Sequence, residues 1–275
     1  MKKKSFKEKK LRDEVWQASG WGKVASWYQN TINTTRSTQK DLILPEILKF
    51  LPLESVSSKR IIDLGCGTGF FLKEYLKGDT QKSLGVDIDS ELIELSKQYL
   101  EKEIEDGKVL LLKGDVTNLN AVSDGNFDIA LSIESLPNIK DMNAFALESY
   151  RVLDHGGKLI LVVNHPSFRI PQSSDWYFDK DKNKQGRVVY KYKSSHQIKI
   201  DMNPGTKNKA QKVYTYTYHR PFEEYLNTFS NAGFTLTFTK EICSNKASQK
   251  GARQKVEDIS RAEIPLFLFL EFTKK

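Results

Sequence analysis

Residues 61–69 read IIDLGCGTG, an apolar run that leads into three glycines at alternate positions. The run belongs to KRIIDL, which has the composition of a buried strand, while FFLKEYLK after the glycines has helical spacing and ends at Gly78. Glycines between a strand and a helix let the backbone turn tightly against a ligand. The stretch therefore predicts the first strand, a ligand-binding turn and the first helix of an α/β fold.

Strands and helices alternate outward from this turn to about residue 164. The further apolar runs are KSLGVDI, KVLLLKGD, FDIALSI and KLILVVN. One helix is predicted through ELIELSKQYLEKEIE after a cap at Asp89 or Ser90, and another through DMNAFALESYRVL up to the Gly156–Gly157 pair. Nearly all-apolar strands that alternate with helices predict a parallel sheet covered on both faces, and right-handed crossovers make it doubly wound.

Two regions flank this core, so four parts of the chain are expected. Residues 1–50 contain a basic tail and a helical cap, and residues 51–164 form the ligand-binding core. The polar residues 165–220 contain the alternating runs RVVYKYK, HQIKI and KVYTYTYH, which predict a small antiparallel sheet inserted over the substrate. Residues 221–275, with the helix PFEEYLNTFSNAGF and the strands TLTFTKEI and PLFLFLEF, are expected to complete the sheet.

The composition limits the kind of partner and compartment. A net charge of +8 permits a polyanionic partner, but the lysines are spread along the chain, which favours solvated loops over a nucleic-acid face. Cys66 and Cys243 give neither a disulfide framework nor a metal spacing, so no metal is expected. The apolar run 264–272 is too short to cross a bilayer, and the basic N-terminus lacks the apolar segment of a signal peptide. A cytoplasmic protein is the expectation.

The glycine turn departs from the dinucleotide-binding pattern G-x-G-x-x-G. Phe70 occupies the position of its third glycine. Asp63 also disfavours a dinucleotide, because its carboxylate would repel a pyrophosphate but would attract an ammonium or sulfonium group. S-adenosylmethionine carries both of these cationic groups and has no phosphate, so it is the cofactor that the turn favours.

Carboxylates also follow the second and third predicted strands. Asp87 ends LGVD about twenty residues beyond the turn, where a carboxylate reaches the two ribose hydroxyls of a bound nucleoside. Asp115, in KGDVTNL, lies where an adenine amino group would need an acceptor, although a turn role is also open for it. Three carboxylates at the carboxyl ends of three consecutive strands predict a nucleoside site more specifically than any one of them.

The segments DLGCGTG, VDID, GDV and FDIALSIESLPNI together resemble the class I S-adenosylmethionine-dependent methyltransferases, over roughly residue 21 to the C-terminus. The resemblance implies a Rossmann-like, mostly parallel seven-stranded sheet with an antiparallel last strand and a small β-rich insert after strand five. The segments VVNHPSF, YHRPFEEYLNTFSNAGF and PLFLFLEF extend it to a bacterial small-molecule subgroup that is similar to the quinone C-methyltransferases. The lysine-rich insert is a departure from that subgroup.

The resemblance also implies the residues that hold the cofactor. The glycine loop and Asp63 would contact the methionine part, Asp87 the ribose, and Asp115 with Val116 the adenine. The full implied set is Asp63, Leu64, Gly65, Cys66, Gly67, Thr68, Gly69, Asp87, Ile88, Asp115, Val116, Ser132, Ile133 and Glu134. The last three residues of this set leave strand four and would line the methyl-transfer site.

The acceptor side is predicted from position and residue type. Candidate catalytic residues are His165, Tyr28 and His219, each with a structural role as the alternative. His165 follows strand five, and Pro166 would hold it in an extended conformation with an imidazole suited to a base near neutral pH. The candidate substrate-contacting residues are Trp27, Tyr28, His165, Trp176, Tyr177 and Arg220.

Three functions remain open at the level of the sequence. Methyl transfer to a small molecule is favoured, by an in-line displacement that needs positioning more than a dedicated base. An RNA (tRNA) methyltransferase is the first alternative, supported by the basic balance, although strand four ends in SIESLPNI and not in the Asn/Asp-Pro-Pro-Tyr/Phe motif of base-amino methylation. A non-catalytic, cofactor-binding partner protein is the second alternative. The oligomeric state is open.

Overall fold

The computed structural model describes residues 20–26, 29–30, 37–203, 205, 208 and 212–275. Trp27, Tyr28 and the basic tail (residues 1–19) lie outside the described residues, so the predictions made for them are not developed further. Within the described part of the chain, no helix is long and apolar enough to cross a membrane.

The strands follow the apolar runs of the sequence closely. Their bounds are β1 Arg60–Leu64, β2 Lys82–Asp87, β3 Val109–Lys113, β4 Phe127–Ile133, β5 Leu153–Asn164, β6 Ser174–Asp179, β7 Lys184–Val189, β8 His196–Asp201, β9 Tyr214–His219, β10 Phe234–Ile242 and β11 Phe267–Lys274. Seven of them form one sheet in the order β10-β11-β5-β4-β1-β2-β3. Strands β1 to β5 pair in parallel, and β11 is antiparallel to both of its neighbours. The predicted fold class, with its antiparallel last strand, is confirmed.

Helices cover both faces of this sheet. Their bounds are α1 Leu44–Phe50, α2 Phe70–Leu76, α3 Ser90–Tyr99, α4 Glu101–Glu105, α5 Met142–Val152, α6 Phe222–Asn231 and α7 Gln254–Glu263. Successive side chains of a strand point to opposite faces. Accordingly Ile62 of β1 packs in one buried cluster with α5 and α6, whereas Ile61 packs in the other with α1 and α2. The periodicity of the sequence predicts this double coverage.

Two boundary predictions were wrong. The helix after β4 was expected to stop at the Gly156–Gly157 pair, but α5 ends at Val152 and β5 begins at Leu153. Gly156 has a φ of +77°, so the pair bends the early part of β5 instead of ending a helix. The single helix expected after Asp89 is divided at Leu100 into α3 and α4.

The insert also differs in detail from the prediction. It contains two separate antiparallel hairpins, β6–β7 and β8–β9, and not one small sheet. The hairpin β8–β9 contacts the loop that follows β4, because the Thr217 hydroxyl donates a hydrogen bond of 3.2 Å to the carbonyl of Pro137. Part of the insert therefore lies against the carboxyl edge of the sheet.

Candidate cofactor and acceptor site

The glycine turn is fixed both by its backbone conformation and by close contacts. Gly65 has a φ of +83°, and the backbone N–H groups of Gly65 and Cys66 both donate to the carbonyl of Val86 in β2, at 2.8 and 2.9 Å. A Cβ atom at Gly65 would lie 2.5 Å from the Cβ of Ser135, which follows β4. The turn therefore needs glycine at this position, because β2 and the loop after β4 confine it on two sides.

Asp87 connects the end of β2 to this turn. Its carboxylate accepts hydrogen bonds from the backbone N–H groups of Gly67 at 2.9 Å and Asp89 at 3.0 Å, one on each oxygen. The side chain is buried, and burial raises the pKa of its carboxyl. Each carboxylate oxygen has a second lone pair, so Asp87 can accept two further hydrogen bonds from a pair of hydroxyls. Helix capping is performed by Asp89 instead, which accepts from the N–H groups of Glu91 and Leu92.

Asp63 is a buried carboxyl group next to a second one. Burial, with a smaller contribution from the charge of Asp87, raises the pKa of Asp63 to about 7. No hydrogen bond to its side chain is found among the residues that the structure describes. Two adjacent buried carboxyls without a cation are unfavourable when both are ionised. A ligand that brings a positive charge to this position would relieve that cost, so these residues fit S-adenosylmethionine.

The pKa of Asp63 gives a pH prediction. Below pH 7 the ligand-free protein keeps this carboxyl protonated, whereas a bound ammonium group favours the ionised form. We therefore expect the affinity for S-adenosylhomocysteine to rise by about tenfold per pH unit up to about pH 7 and then to level off. Calorimetry in buffers of different ionisation enthalpy would measure the affinity and the proton released.

The stability of the ligand-free protein changes with pH in the opposite direction to its ligand affinity. The folded pKa of Asp63 lies above its ordinary value of 3.8, so the ligand-free protein loses free energy of unfolding as the pH rises from about 4 to about 7. Asp63→Asn should flatten the pH dependence of both the affinity and the stability. An equally steep affinity profile in this variant would mean that another group carries the linked proton.

Asp115 lies just beyond β3 at the same edge. One carboxylate oxygen, Oδ1, accepts from the backbone N–H of Thr117 at 2.9 Å and from its hydroxyl at 2.7 Å. These bonds satisfy the turn role that the sequence left open for Asp115, and Oδ2 has no partner among the described residues. Val116 is buried beside it, and Ile88, after β2, has 47% of its surface exposed. The edge thus combines a carboxylate oxygen with apolar surface, as a purine requires.

The end of β4 connects this edge to the glycine turn. The Ser135 hydroxyl lies 2.6 Å from that of Ser132 and donates to the carbonyl of Leu64 at 2.7 Å. Glu134 follows Ile133 with a φ of +60°, a left-handed conformation that is uncommon for this residue type. Its carboxylate accepts a hydrogen bond of 2.7 Å from Gln39 Nε2, and burial raises its pKa.

The chain before β1 reaches the same region. The backbone N–H of Gly22 donates to Asp89 Oδ2 at 2.8 Å, and that of Gly20 donates to the carbonyl of Tyr214 in β9 at 3.1 Å. Gln39, which sequence reasoning missed, contacts Glu134 from this side. The described parts of the N-terminal segment therefore touch both the strand ends and the insert.

His165 lies at the carboxyl end of β5, as predicted, but its ring is already engaged. Nε2 is 2.8 Å from Glu241 Oε1 in β10, and Nδ1 accepts a hydrogen bond of 3.2 Å from the backbone N–H of Ser167. Burial lowers the pKa of the imidazole, although Glu241 acts in the opposite direction. A catalytic role for His165 would require an acceptor to displace one of these partners.

The variant His165→Ala distinguishes a catalytic base from a structural residue. A loss of methyl-transfer rate of about 100-fold or more, with unchanged cofactor affinity, would support a base. We expect a change of only a few-fold together with a lower melting temperature, because both ring nitrogens already bind protein groups. Single-turnover rates at saturating acceptor, with Glu241→Gln as the companion variant, would measure this.

The other predicted acceptor-side residues separate into two groups. His219 and Arg220 are buried, and His219 Nε2 lies 2.6 Å from the carbonyl of Tyr192. Trp176 and Tyr177 lie in β6, where Arg187 is over the Trp176 ring at 5.1 Å and Tyr177 is 56% exposed. The β6–β7 hairpin contacts α7, since the Ser260 hydroxyl donates to the carbonyl of Gln185 at 2.9 Å.

A narrow cleft that the sequence did not predict opens beside Arg220. Its walls include Pro137, Asn164, Arg169 and Arg220, and they enclose a volume of only about 20 Å³. These residues come from the loop after β4, the end of β5 and the two ends of the insert. Arg220 was predicted as a substrate contact, whereas Arg169, in the mostly apolar PSFRIP, was not. The cleft is adjacent to the strand ends that carry Ser132 to Glu134, because Asn164 ends β5 and β5 pairs with β4 up to Ile133.

Comparisons with known proteins agree with this arrangement. Residues 62–161, which span most of the sheet from β1 to β5, match the family described as a methyltransferase domain. An uncharacterized protein of Haemophilus influenzae is 25% identical over 232 residues, or 84% of this chain and 86% of that protein. Demethylmenaquinone methyltransferase of Lactococcus lactis is 30% identical over 142 residues, or 50% of this chain and 55% of that enzyme.

The fold has a similar solved counterpart. An S-adenosylmethionine-dependent methyltransferase from Mesorhizobium loti superposes with a TM-score of 0.65 at 21% identity, over 84% of this chain and 96% of that one. By contrast, the chain spans about half the length, or less, of the named curated methyltransferases it matches.

Proposed function

We propose that this chain, an S-adenosylmethionine-dependent methyltransferase, transfers the methyl group to a small-molecule acceptor held under the insert (residues 165–220). The observation that carries the proposal is the narrow cleft between the carboxyl edge of the sheet and the β8–β9 hairpin. Open α/β sheets bind their ligands at this edge.

The cofactor residues are proposed on the contacts described above. Asp63 would face the cationic methionine part, Asp87 the ribose hydroxyls, and Asp115 with Val116 the adenine. S-adenosylmethionine held there would supply an electrophilic methyl group to the acceptor atom and would be left as S-adenosylhomocysteine. The acceptor proton, where there is one, passes to solvent or to a neighbouring base.

The chain contributes positioning and exclusion of water. Holding the acceptor atom about 3 Å from the methyl carbon converts a bimolecular displacement into an effectively unimolecular one. Hydrogen bonds from Thr217 to the carbonyl of Pro137 and from Arg220 to that of Ile139 hold the insert against the loop after β4. We propose that residues 165–220 govern the acceptor, and that the chain belongs with the small-molecule methyltransferases, as two similar proteins named for quinone substrates do.

A labelling experiment tests the proposal. Extract of the native cell is divided into RNA and a filtrate of small molecules, and each is supplied to the full chain with methyl-labelled cofactor. We expect label in the filtrate, with one S-adenosylhomocysteine formed per methyl transferred. Label in RNA, with retention on RNA that weakens as salt is raised, would instead support the RNA methyltransferase. No labelled product in either fraction would support a non-catalytic partner protein.

A further inference from the structure

The cleft beside the strand ends contains buried polar atoms that the protein does not satisfy. Among the residues that the structure describes, Asn164 Oδ1, Arg169 Nη1 and Arg220 Nη1 are buried without a hydrogen-bond partner, and all three residues line this cleft. Buried donors and acceptors are almost always paired, because leaving one unpaired costs about 1–3 kcal/mol. Three such atoms around a cleft of about 20 Å³ indicate that a small polar group fills it, either an ordered water or one polar group of a ligand.

One side of the Arg220 guanidinium is hydrogen-bonded to the protein backbone. Nη2 donates to the carbonyl of Ile139 at 2.6 Å and to that of Lys140 at 2.9 Å, and Nε lies 3.6 Å from Glu224 Oε1. Only 5% of the side chain is exposed. The cation is therefore fixed by the loop before α5 and by α6, while Nη1 remains to donate to a ligand. The Tyr225 phenol lines the cleft beside it.

Arg169 supplies the second cation of the cleft. Its guanidinium lies over the ring of Phe267 at 4.6 Å, and its nearest acidic influence is Glu134. Burial lowers the pKa of Arg169, and the charge of Arg187 acts in the same direction, whereas Glu134 opposes both. Within the described part of the chain this guanidinium makes no hydrogen bond, and its Nη1 is buried, so its donors are available.

The charge around the cleft is positive on balance. The residues that line it include two arginines and no acid. Glu134 and Glu224 influence the arginines from outside the lining, and burial raises the pKa of Glu134. The pKa of His219, which also lines the cleft, is lowered by burial, so this imidazole adds little charge. A planar or tetrahedral oxyanion is the group that two guanidinium donors match best.

We infer that Arg169 and Arg220 bind an oxyanion of the acceptor, so that this methyltransferase acts on an acidic small molecule that carries a carboxylate or a phosphate. The anion would anchor the acceptor at the cleft and leave its nucleophilic atom to face the methyl group near the end of β4. The inference rests on the proposed function and adds to it the chemical class of the acceptor.

The first experiment identifies the charge of the acceptor. The small-molecule filtrate is passed over a quaternary-ammonium resin at pH 8, and the retained and unretained parts are each given to the full chain with methyl-labelled cofactor. We expect the acceptor in the retained part. Prior treatment with alkaline phosphatase abolishes its use if the anion is a phosphate monoester and leaves it unchanged if the anion is a carboxylate.

Failure of this inference is distinguishable from failure of the proposed function. If the acceptor is found in the unretained part and is methylated as fast as in the whole filtrate, the oxyanion site is overturned and small-molecule methylation stands. Label confined to RNA, or no labelled product, overturns the proposed function and this inference with it.

Variants of the two arginines then test the site itself. Arg169→Met should raise KM for the retained acceptor by about tenfold or more and leave KM for the cofactor unchanged, because a charge-assisted hydrogen bond is lost on the acceptor side only. Arg169→Lys should restore part of the loss. Arg220→Lys keeps the charge while removing the forked donors, and should raise the same KM with less risk to the fold than Arg220→Met.

Arg253→Met is the matched control. Arg253 is exposed and lies over the Phe178 ring at 4.2 Å, outside the cleft. Its loss removes one positive charge from the insert side without touching the proposed site, so KM for the acceptor should not change. An equal rise in KM for Arg169→Met and Arg253→Met would show general electrostatic attraction and would overturn the site. An unchanged KM in Arg169→Met would also overturn it.

Discussion

Gly65→Ala is expected to lower the affinity for S-adenosylhomocysteine by about 100-fold or more. Alanine at a φ of +83° is strained by about 1–3 kcal/mol, and the added Cβ would lie 2.5 Å from that of Ser135. Ser135 cannot withdraw freely, because its hydroxyl is bonded to the carbonyl of Leu64 and to Ser132. The turn must therefore move away from the position in which it meets the ligand. Calorimetric titration would measure the loss.

Gly107→Ala provides the control for this prediction. Gly107 also has a positive φ, +69°, but a Cβ there would meet nothing within 4 Å. This variant should lose about 1 kcal/mol of stability and keep its cofactor affinity. Equal affinities for the Gly65→Ala and wild-type proteins would contradict the assignment of the turn to the cofactor.

Asp87→Ala is expected to weaken S-adenosylhomocysteine binding by about 1–3 kcal/mol, or roughly 5- to 150-fold. The substitution removes the proposed acceptor for two ribose hydroxyls in a buried site and also releases the N–H of Gly67. The affinity should fall more than the stability, because the two backbone donors next to the turn can bind water instead. Isothermal calorimetry and thermal unfolding on the same preparation would separate the two effects.

Asp141→Ala is the corresponding control. Asp141 accepts the Ala144 N–H at 2.9 Å as the cap of α5, so its loss costs a capping bond without involving the nucleoside edge. Its affinity for S-adenosylhomocysteine should be unchanged. If Asp87→Ala behaves like Asp141→Ala, Asp87 is a turn residue and the ribose is held elsewhere.

The parts of the fold that follow local patterns could be predicted from the sequence. FDIALSI became β4 with the same bounds, because a short apolar run between turns has few alternatives in a buried sheet. Helix α7, by contrast, was missed. Of its ten residues only Ser260 is buried, so QKVEDISRAE has no apolar stripe to reveal it.

In the candidate site too, features with a local sequence pattern could be predicted and features set by long-range packing could not. The glycine turn and Asp87 are adjacent to strands in the sequence, so their positions could be inferred from topology. His165 was placed at the right strand end, but its ring partner Glu241 is 76 residues away, and no local pattern indicates it. The cleft depends on Arg169 and Arg220 meeting at one place, which only the packing of the insert reveals.

A crystal structure of the protein with S-adenosylhomocysteine tests most directly whether the carboxyl edge of the sheet binds the nucleoside. We predict both ribose hydroxyls at about 2.5–3.0 Å from the Asp87 carboxylate, the ligand ammonium group beside Asp63, and the sulfur facing the cleft that contains Arg169. A ligand bound away from the glycine turn, or a ribose with no contact to Asp87, would contradict this account of the site.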